Sequence, residues 1–192
     1  ADYPTADPFQ AALGGSVDAF VTKIAPPPPF ASVSAASFIP FTSLAPGSIA
    51  AGFGRDLAPA TESAAAVPLP TALAETSVRV RDSQGVEQLA PLFFVSAGQI
   101  NYLIPENSAT GFASVTVTSR GQTVDSGPLH LAAVAPGVFT ANNSGNGAPA
   151  AIAVRYAADN TMTWDYAFQC GATAGSCVPK PIDLGSDTDR VY

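Results

Sequence analysis

The residues best suited to chemistry surround the only tryptophan of the chain. Asp159 and Asp165 flank Trp164, and glycoside hydrolases hold two carboxylates roughly 5 to 9.5 Å apart across the bond they cleave. A plain hairpin with solvated acids and a half-buried tryptophan accounts for the same residues, and it is the simpler interpretation. Alternatively, this region binds carbohydrate without cleaving it, and Tyr156, Trp164 and Tyr166 form a stacking platform for the sugar rings.

Other catalytic groups are scarce in this sequence. The single histidine, His130, lies between Leu129 and Leu131, and strand alternation would turn both leucines inward and the imidazole toward solvent. There is no Gly-x-Ser-x-Gly elbow, no His-Glu-x-x-His helix and no phosphate-binding loop. A serine without a partner base is only a hydroxyl. We therefore predict that the protein is not an enzyme and that it needs no cofactor.

Three aspartates near the end of the chain could supply oxygen ligands. Asp183, Asp187 and Asp189 surround Gly185 and Ser186, and calcium prefers carboxylate and carbonyl oxygens. Their spacing fits no complete calcium-loop motif, so a solvated turn is favoured and no metal ligand is predicted. The calcium alternative stays open at this point.

The two cysteines, Cys170 and Cys177, are seven residues apart in a glycine-containing loop. A disulfide is the economical interpretation, because zinc usually takes about four ligands and the chain offers two cysteines and one histidine. Closing so short a loop is worth roughly 2.5 kcal/mol in the chain-entropy model. The pair favours an oxidising compartment, and we expect a secreted or cell-surface protein.

The amino-acid composition argues against some classes of binding partner for this protein. The chain has 192 residues, of which 47% are hydrophobic and only 12% charged, with 18 prolines and 16 glycines. Its formal net charge of -7 would repel nucleic acid and anionic membranes. No apolar run approaches the roughly 20 residues of a membrane helix. The first residues lack the basic and apolar regions of a signal peptide, so a secreted form would be a mature or internal fragment.

Short strand-like runs separated by turns dominate the chain from Ala31 onward, some alternating apolar and polar residues and others, such as 89–96 and 98–105, more densely apolar. They include residues 48–54, 76–82, 89–96, 98–105, 114–119, 129–133 and 150–156. Residues 57–73 have some helical appeal, but Pro59, Pro68 and Pro70 reduce this stretch to a loop. Strands recurring at such spacing, without a sustained 3.6-residue period, predict an all-β sandwich or barrel.

The N-terminal segment is predicted to form an extension strand. Residues 17–24 alternate apolar and polar side chains and are followed by four prolines, 26–29, a stiff spacer of roughly 3.1 Å per residue. We therefore divide the chain into an extension strand or partial repeat (1–25), a proline-rich linker (26–30) and a sandwich region (31–192). A lone strand lacks edge partners, so this segment is a candidate for strand exchange with another molecule. The residues that would carry the exchange are Val17, Ala19, Phe20, Val21 and Ile24.

The same leader resembles part of a bacterial β-propeller repeat of the SBBP type. The matching pieces, in order, are Tyr3-Pro4-Thr5, Pro8-Phe9-Gln10, Gly14-Gly15 and the segment 18–24. The resemblance implies the end of a propeller's last blade, preceding a second module.

A longer resemblance covers residues 33–192. The ordered pieces are Ser34-Ala35-Ala36-Ser37-Phe38, Leu44-Ala45-Pro46-Gly47-Ser48-Ile49, Pro68-Leu69-Pro70-Thr71, the segments 90–96 and 98–102, Ala135-Pro136-Gly137-Val138-Phe139-Thr140, and Pro181-Ile182-Asp183-Leu184-Gly185. They are similar to the Solibacter-type uncharacterised C-terminal domain family of large secreted or surface proteins. The resemblance implies an IPT/TIG-like, immunoglobulin-like β-sandwich. In that family the strand corresponding to 189–192 runs on into a Gly-Thr-Gly turn and a second sheet segment, so a truncated C-terminal edge is expected.

These observations favour a non-catalytic, extracellular structural or adhesion module of a bacterial protein. It would bind protein partners, including copies of itself, and strand addition from chain to chain would give filaments. The alternative is a carbohydrate-binding accessory module that uses Tyr156, Trp164 and Tyr166.

Overall fold

The structure is a computed structural model that describes residues 30–40, 42–186 and 188–192. This part of the chain is all-β and contains no helix. The strands are β1 (Ala31–Ser34), β2 (Ile49–Phe53), β3 (Glu62–Ser63), β4 (Thr76–Arg81), β5 (Glu87–Leu89), β6 (Leu92–Val95), β7 (Gln99–Leu103), β8 (Gly111–Ser119), β9 (Gln122–Leu131), β10 (Ile152–Tyr156), β11 (Met162–Tyr166), β12 (Phe168–Cys170), β13 (Cys177–Pro179) and β14 (Arg190–Val191). The predicted fold class, an all-β sandwich, is confirmed.

Strands β1 to β9 form two antiparallel sheets. Their orders are β1-β2-β7-β6-β3 and β5-β4-β8-β9. Apart from the two-residue β3, this is the A-B-E-D and C′-C-F-G arrangement of immunoglobulin-like sandwiches. The sequence patterns explain the layers, since β4 buries Val78 and Val80 and exposes Arg79 and Arg81.

The core lies between these two sheets. Its largest fully buried side chains include Phe30, Leu44, Leu57, Leu92, Ile100, Tyr102, Ile104, Val115 and Leu131. Tyr102 is the one with a polar tip, and its hydroxyl lies 2.7 Å from Ser32 Oγ. Burial raises the pKa of this phenol well above its ordinary value, because the phenolate would be desolvated.

One predicted run is divided between the two sheets. Residues 89–96 were expected as one apolar strand, but Leu89 ends β5 and pairs with Arg79 of β4, while β6 begins at Leu92 in the other sheet. The crossing occurs at Ala90 and Pro91. Proline cannot donate to a strand ladder, so it suits the point where the chain leaves one sheet.

The proline-containing stretch 57–73 is a loop, as its sequence predicts. It holds only the two-residue strand β3, which pairs with β6. Leu57 and Leu73 are buried at its two ends, so the loop is anchored to the core at both sides.

Residues after β9 form smaller sheets. Strand order β11-β10-β14 gives a three-stranded sheet, and β12 and β13 give a two-stranded ribbon closed by the Cys170–Cys177 disulfide. The connection to the sandwich is close, since a Cβ on Gly145 would lie 2.2 Å from the Ser37 carbonyl oxygen. Gly145 also has a φ of 75°, a left-handed conformation that favours glycine.

Two findings bear on the remaining predictions. Within the described ranges there is no long apolar helix of the kind that crosses a membrane. The extension strand and the linker up to residue 29 lie outside those ranges.

Candidate functional site

The C-terminal three-stranded sheet carries a row of large apolar side chains on one face. The register pairs Ile152 with Tyr166, Val154 with Trp164 and Tyr156 with Met162, and directly opposed residues share a face. Tyr192 joins them, because its backbone exchanges two hydrogen bonds with Val154, of 3.0 and 2.9 Å. We call this surface the aromatic face. Its members are Ile152, Val154, Tyr156, Met162, Trp164, Tyr166 and Tyr192.

The aromatic face is open to solvent. Trp164 is 58% exposed, Met162 53% and Tyr192 73%, and every residue of the edge strand β11 is exposed. The expected half-buried tryptophan is therefore wrong.

Ring geometry on this face is edge to face. Trp164 and Tyr166 have centroids 5.5 Å apart at an interplanar angle of 84°, and Tyr156 and Tyr192 are 6.2 Å apart at 80°. Such T-shaped contacts are the favoured arrangement of aromatic pairs. The surface is consequently ridged, since neighbouring rings in these pairs cannot both lie flat against one plane.

The opposite face of the same sheet is polar and partly covered. Arg155 Nη1 lies 2.7 Å from Asp183 Oδ2, and its Nε lies 3.8 Å from Asp189 Oδ2. Lys180 forms an ion pair with Asp165. These contacts join residues 180–186 and Asp189 to this face, which is therefore partly covered, although the Asp165 and Asp183 side chains stay 62% and 81% exposed.

Hydrogen bonds and ion pairs lower the pKa of two carboxyl groups on the polar side of this sheet. The hydrogen bond from the Lys180 ammonium lowers the pKa of Asp165. The backbone N–H of Gly185 lowers that of Asp183, with a further contribution from Arg155. A lowered carboxyl pKa means that these contacts are complete above the usual value of about 3.9 and weaken as the pH falls below it.

Two of the aspartates considered as calcium ligands form ion pairs with an arginine instead. The Arg155 guanidinium serves both Asp183 and Asp189, while Asp187 lies outside the described residues. Across the described ranges there is no cluster of three or more His, Cys, Asp or Glu that could hold a metal ion.

The acids beside Trp164 do not converge on the aromatic face. Asp159 lies in the turn between β10 and β11, where its Oδ1 accepts a 2.8 Å hydrogen bond from the Thr161 N–H. Asp165 points to the opposite side of β11 and pairs with Lys180. The aromatic face can therefore bind a ligand by ring stacking and apolar contact, and Asp159 and Asp165 do not form a carboxylate pair on it.

A serine–histidine contact exists that the sequence did not predict. Ser43 Oγ lies 2.8 Å from His130 Nδ1, although the two residues are 87 positions apart. His130 points outward, as predicted, and packs edge-on against Phe112 with centroids 5.3 Å apart. Within the part of the chain described, no carboxylate forms an ion pair with His130.

The predicted disulfide between Cys170 and Cys177 is confirmed. It joins two directly paired residues of the β12–β13 ribbon. The ribbon continues the aromatic cluster, since the Phe168 and Tyr166 rings have centroids 5.2 Å apart. The bond therefore fixes the strand that follows the aromatic face.

Sequence reasoning found part of this face and missed the rest. Tyr156, Trp164 and Tyr166, which it selected, lie together there. It did not select Ile152, Val154, Met162 or Tyr192. The alternation of residues 152, 154 and 156 was a usable signal, but the strand pairing was needed to add Met162 and Tyr192. The strand-exchange residues 17–24 lie outside the described ranges.

Comparison with known proteins leaves the family open. No protein-family model matches the chain, and no curated protein matches it. The resemblances to a propeller repeat and to the Solibacter-type C-terminal domain stay predictions.

Proposed function

We propose that this protein is a non-catalytic, extracellular structural or adhesion module of a secreted or cell-surface bacterial protein. It works by binding other proteins, including copies of itself, through a surface of its C-terminal sheet. The observation that carries the proposal is the aromatic face, where six side chains of large apolar residues are substantially exposed on a single sheet.

Exposure of this kind is unusual in a surface with no binding role. Single exposed hydrophobic residues are common, whereas contiguous apolar patches mark interaction sites. Tyrosine and tryptophan are the residues most enriched at the centres of protein interfaces. The disulfide close to the patch agrees with an oxidising location.

A finer version of the proposal is assembly by strand addition. Residues 17–24 of one chain would add to a sheet edge of the next, and a head-to-tail contact that does not close builds a filament. The outer edge of β9 is partly taken by Leu44 and Phe30. The candidate acceptor is therefore β11, the outer strand of the β11-β10-β14 sheet, all of whose residues are exposed.

Deletion of residues 1–25 tests this version. We expect the full chain to form elongated assemblies by electron microscopy and light scattering, and the deleted chain to stay small. The control is the full chain with Thr22→Ser, a conservative change that leaves Val17, Val21 and Ile24 in place. Strand addition is excluded if full-length and deleted chains have the same size distribution.

A second candidate function is carbohydrate binding at the aromatic face. The observation that favours it is that Tyr156, Trp164 and Tyr166 share one exposed surface. Because Trp164 is the only tryptophan, its fluorescence reports on this surface directly. A shift in its emission on addition of soluble polysaccharides, reduced by Tyr156→Thr, which leaves the tryptophan in place, would support this function. Unchanged emission across a glycan series would exclude it.

A further inference from the structure

We infer that the aromatic face is covered by the same face of a second copy of this chain, so that two C-terminal sheets pack into one sandwich across a two-fold axis. The inference rests on the proposal that this face is a protein-binding surface, and it names the partner.

The first argument is the missing layer. A sheet with an apolar face is stable when a second layer packs on it, about 10 Å away. Here the polar side of the sheet is partly covered by residues 180–186 and Asp189, which Arg155 and the Lys180–Asp165 pair join to it. The bare side is the apolar one, and within the described chain nothing supplies its second layer.

The second argument is the distribution of charge. The one acid within the strands of the C-terminal sheet, Asp165, lies on the polar side, where Lys180 pairs with it, and Asp183 and Asp189 pair with Arg155 on the same side. Asp159 lies in the β10–β11 turn. On the aromatic side the one charged residue is Arg190, opposite Tyr156 at the end of the sheet. Two copies therefore meet through surfaces without carboxylates, although the whole chain carries a net charge of -7. Apolar surfaces are also self-complementary, as a two-fold contact requires.

The third argument is area. A large aromatic side chain presents roughly 150–250 Å², so the exposed fractions on this face correspond to roughly 600 Å² per copy. Two copies would bury roughly 1,200 Å², which is the lower limit for specific interfaces between proteins. A dimer of modest affinity is therefore expected.

The fourth argument is ring geometry. The T-shaped pairs Trp164–Tyr166 and Tyr156–Tyr192 make the face ridged. Ridged side chains interdigitate with a second sheet, whereas a flat polysaccharide is best stacked on coplanar rings. This favours a protein layer over a glycan.

Sedimentation and fluorescence of the full chain test the inference together. We expect the smallest associated species to have twice the 19.4 kDa mass of the chain and to separate into monomers on dilution. Any longer assembly formed by strand addition would be built from this dimer. Trp164 emission should move to longer wavelength over the same dilution range, because the indole becomes solvated as the dimer separates. Trp164→Thr, which keeps a residue with good strand propensity, should weaken the dimer by roughly thirtyfold or more.

The matched control is Phe112→Thr. Phe112 is also an exposed aromatic residue on a strand, at 82% exposure, but it lies on β8 of the sandwich. Its substitution should leave dimerisation unchanged. Circular dichroism of both variants checks that the strands are retained.

Four results would overturn the inference. A dimer that survives Trp164→Thr uses another surface. A monomer at every concentration whose Trp164 emission responds to glycan or to another protein leaves the proposed binding role intact and removes the self-partner. A monomer in which deletion of residues 1–29 solvates Trp164 shows that the chain's own leader covers the face. A monomer with a fully solvated, unresponsive Trp164 removes both the inference and the proposed function.

Discussion

Gly127 shows how strongly one residue can depend on a distant segment. It lies within β9, where glycine normally weakens a strand. A Cβ at this position would lie 1.7 Å from the carbonyl oxygen of Phe30, and the Phe30 N–H donates to Asp125 Oδ1 at 3.2 Å. The backbone at Phe30 therefore approaches β9 so closely that any side chain would displace it.

We expect Gly127→Ala to destabilise the protein by about 1–3 kcal/mol, since the clash is with backbone and cannot be relieved by a rotamer change. Denaturant unfolding monitored by circular dichroism measures this free energy. Gly98→Ala is the control, because its Cβ would meet nothing within 4 Å and its φ is not in the left-handed region. Equal effects of the two substitutions would contradict the assigned contact.

The β12–β13 ribbon is the element most dependent on covalent support. It has three residues on each side, and an isolated two-stranded hairpin is marginal in water. Cys177 is partly buried, whereas the neighbouring loop residues are exposed. Packing therefore contributes little here, and the disulfide stabilises the ribbon instead.

Replacing both Cys170 and Cys177 by serine should remove roughly 2.5 kcal/mol of local stability. We expect faster hydrogen exchange in residues 168–179, with the main unfolding transition of the sandwich unchanged. Reduction of the unmodified protein should reproduce the same pattern. A large fall in the sandwich transition would instead show that the ribbon is integral to the main core.

In the molecule as a whole, the large buried apolar side chains are concentrated in the sandwich and are scarce in the C-terminal part of the described chain. The fully buried large side chains lie between Phe30 and Leu131, and the later residues that reach the buried class are small or polar: Thr140, Ala148 and Ala167. The C-terminal sheet has little core of its own. Its stability depends on the ion pairs of its polar side and on whatever covers its aromatic face.

We expect hydrogen exchange to show this division. Amides of β4, β8 and β7 should be the slowest, because they are central strands of the two sandwich sheets. Amides of β10 and β11 should exchange faster at low protein concentration and slow down as concentration rises, if a second copy covers them. Uniform protection at all concentrations would contradict both the uneven core and the self-association.

Strand positions were largely predictable because alternation of apolar and polar residues is a local signal. Val78 and Val80, or Ile152 and Val154, indicate a strand and its two faces without any tertiary information. The division of residues 89–96 between two sheets was not predictable in the same way. The alternation of residues does not indicate which sheet a strand joins. The crossing at Ala90 and Pro91 depends on the pairing of β5 with β4 and of β6 with β7.

The sequence by itself determined the all-β class, the disulfide between Cys170 and Cys177 and the outward direction of His130. These follow from periodicity and short spacing, which act over a few residues. Only the tertiary structure decided that Trp164 is exposed, that Arg155 occupies the aspartates considered for calcium, and that Ser43 contacts His130. Alternation gives a strand two faces, but a segment distant in sequence determines which of them is covered. Here residues 180–186 and Asp189 lie against the polar face of the C-terminal sheet, and the aromatic face is left exposed.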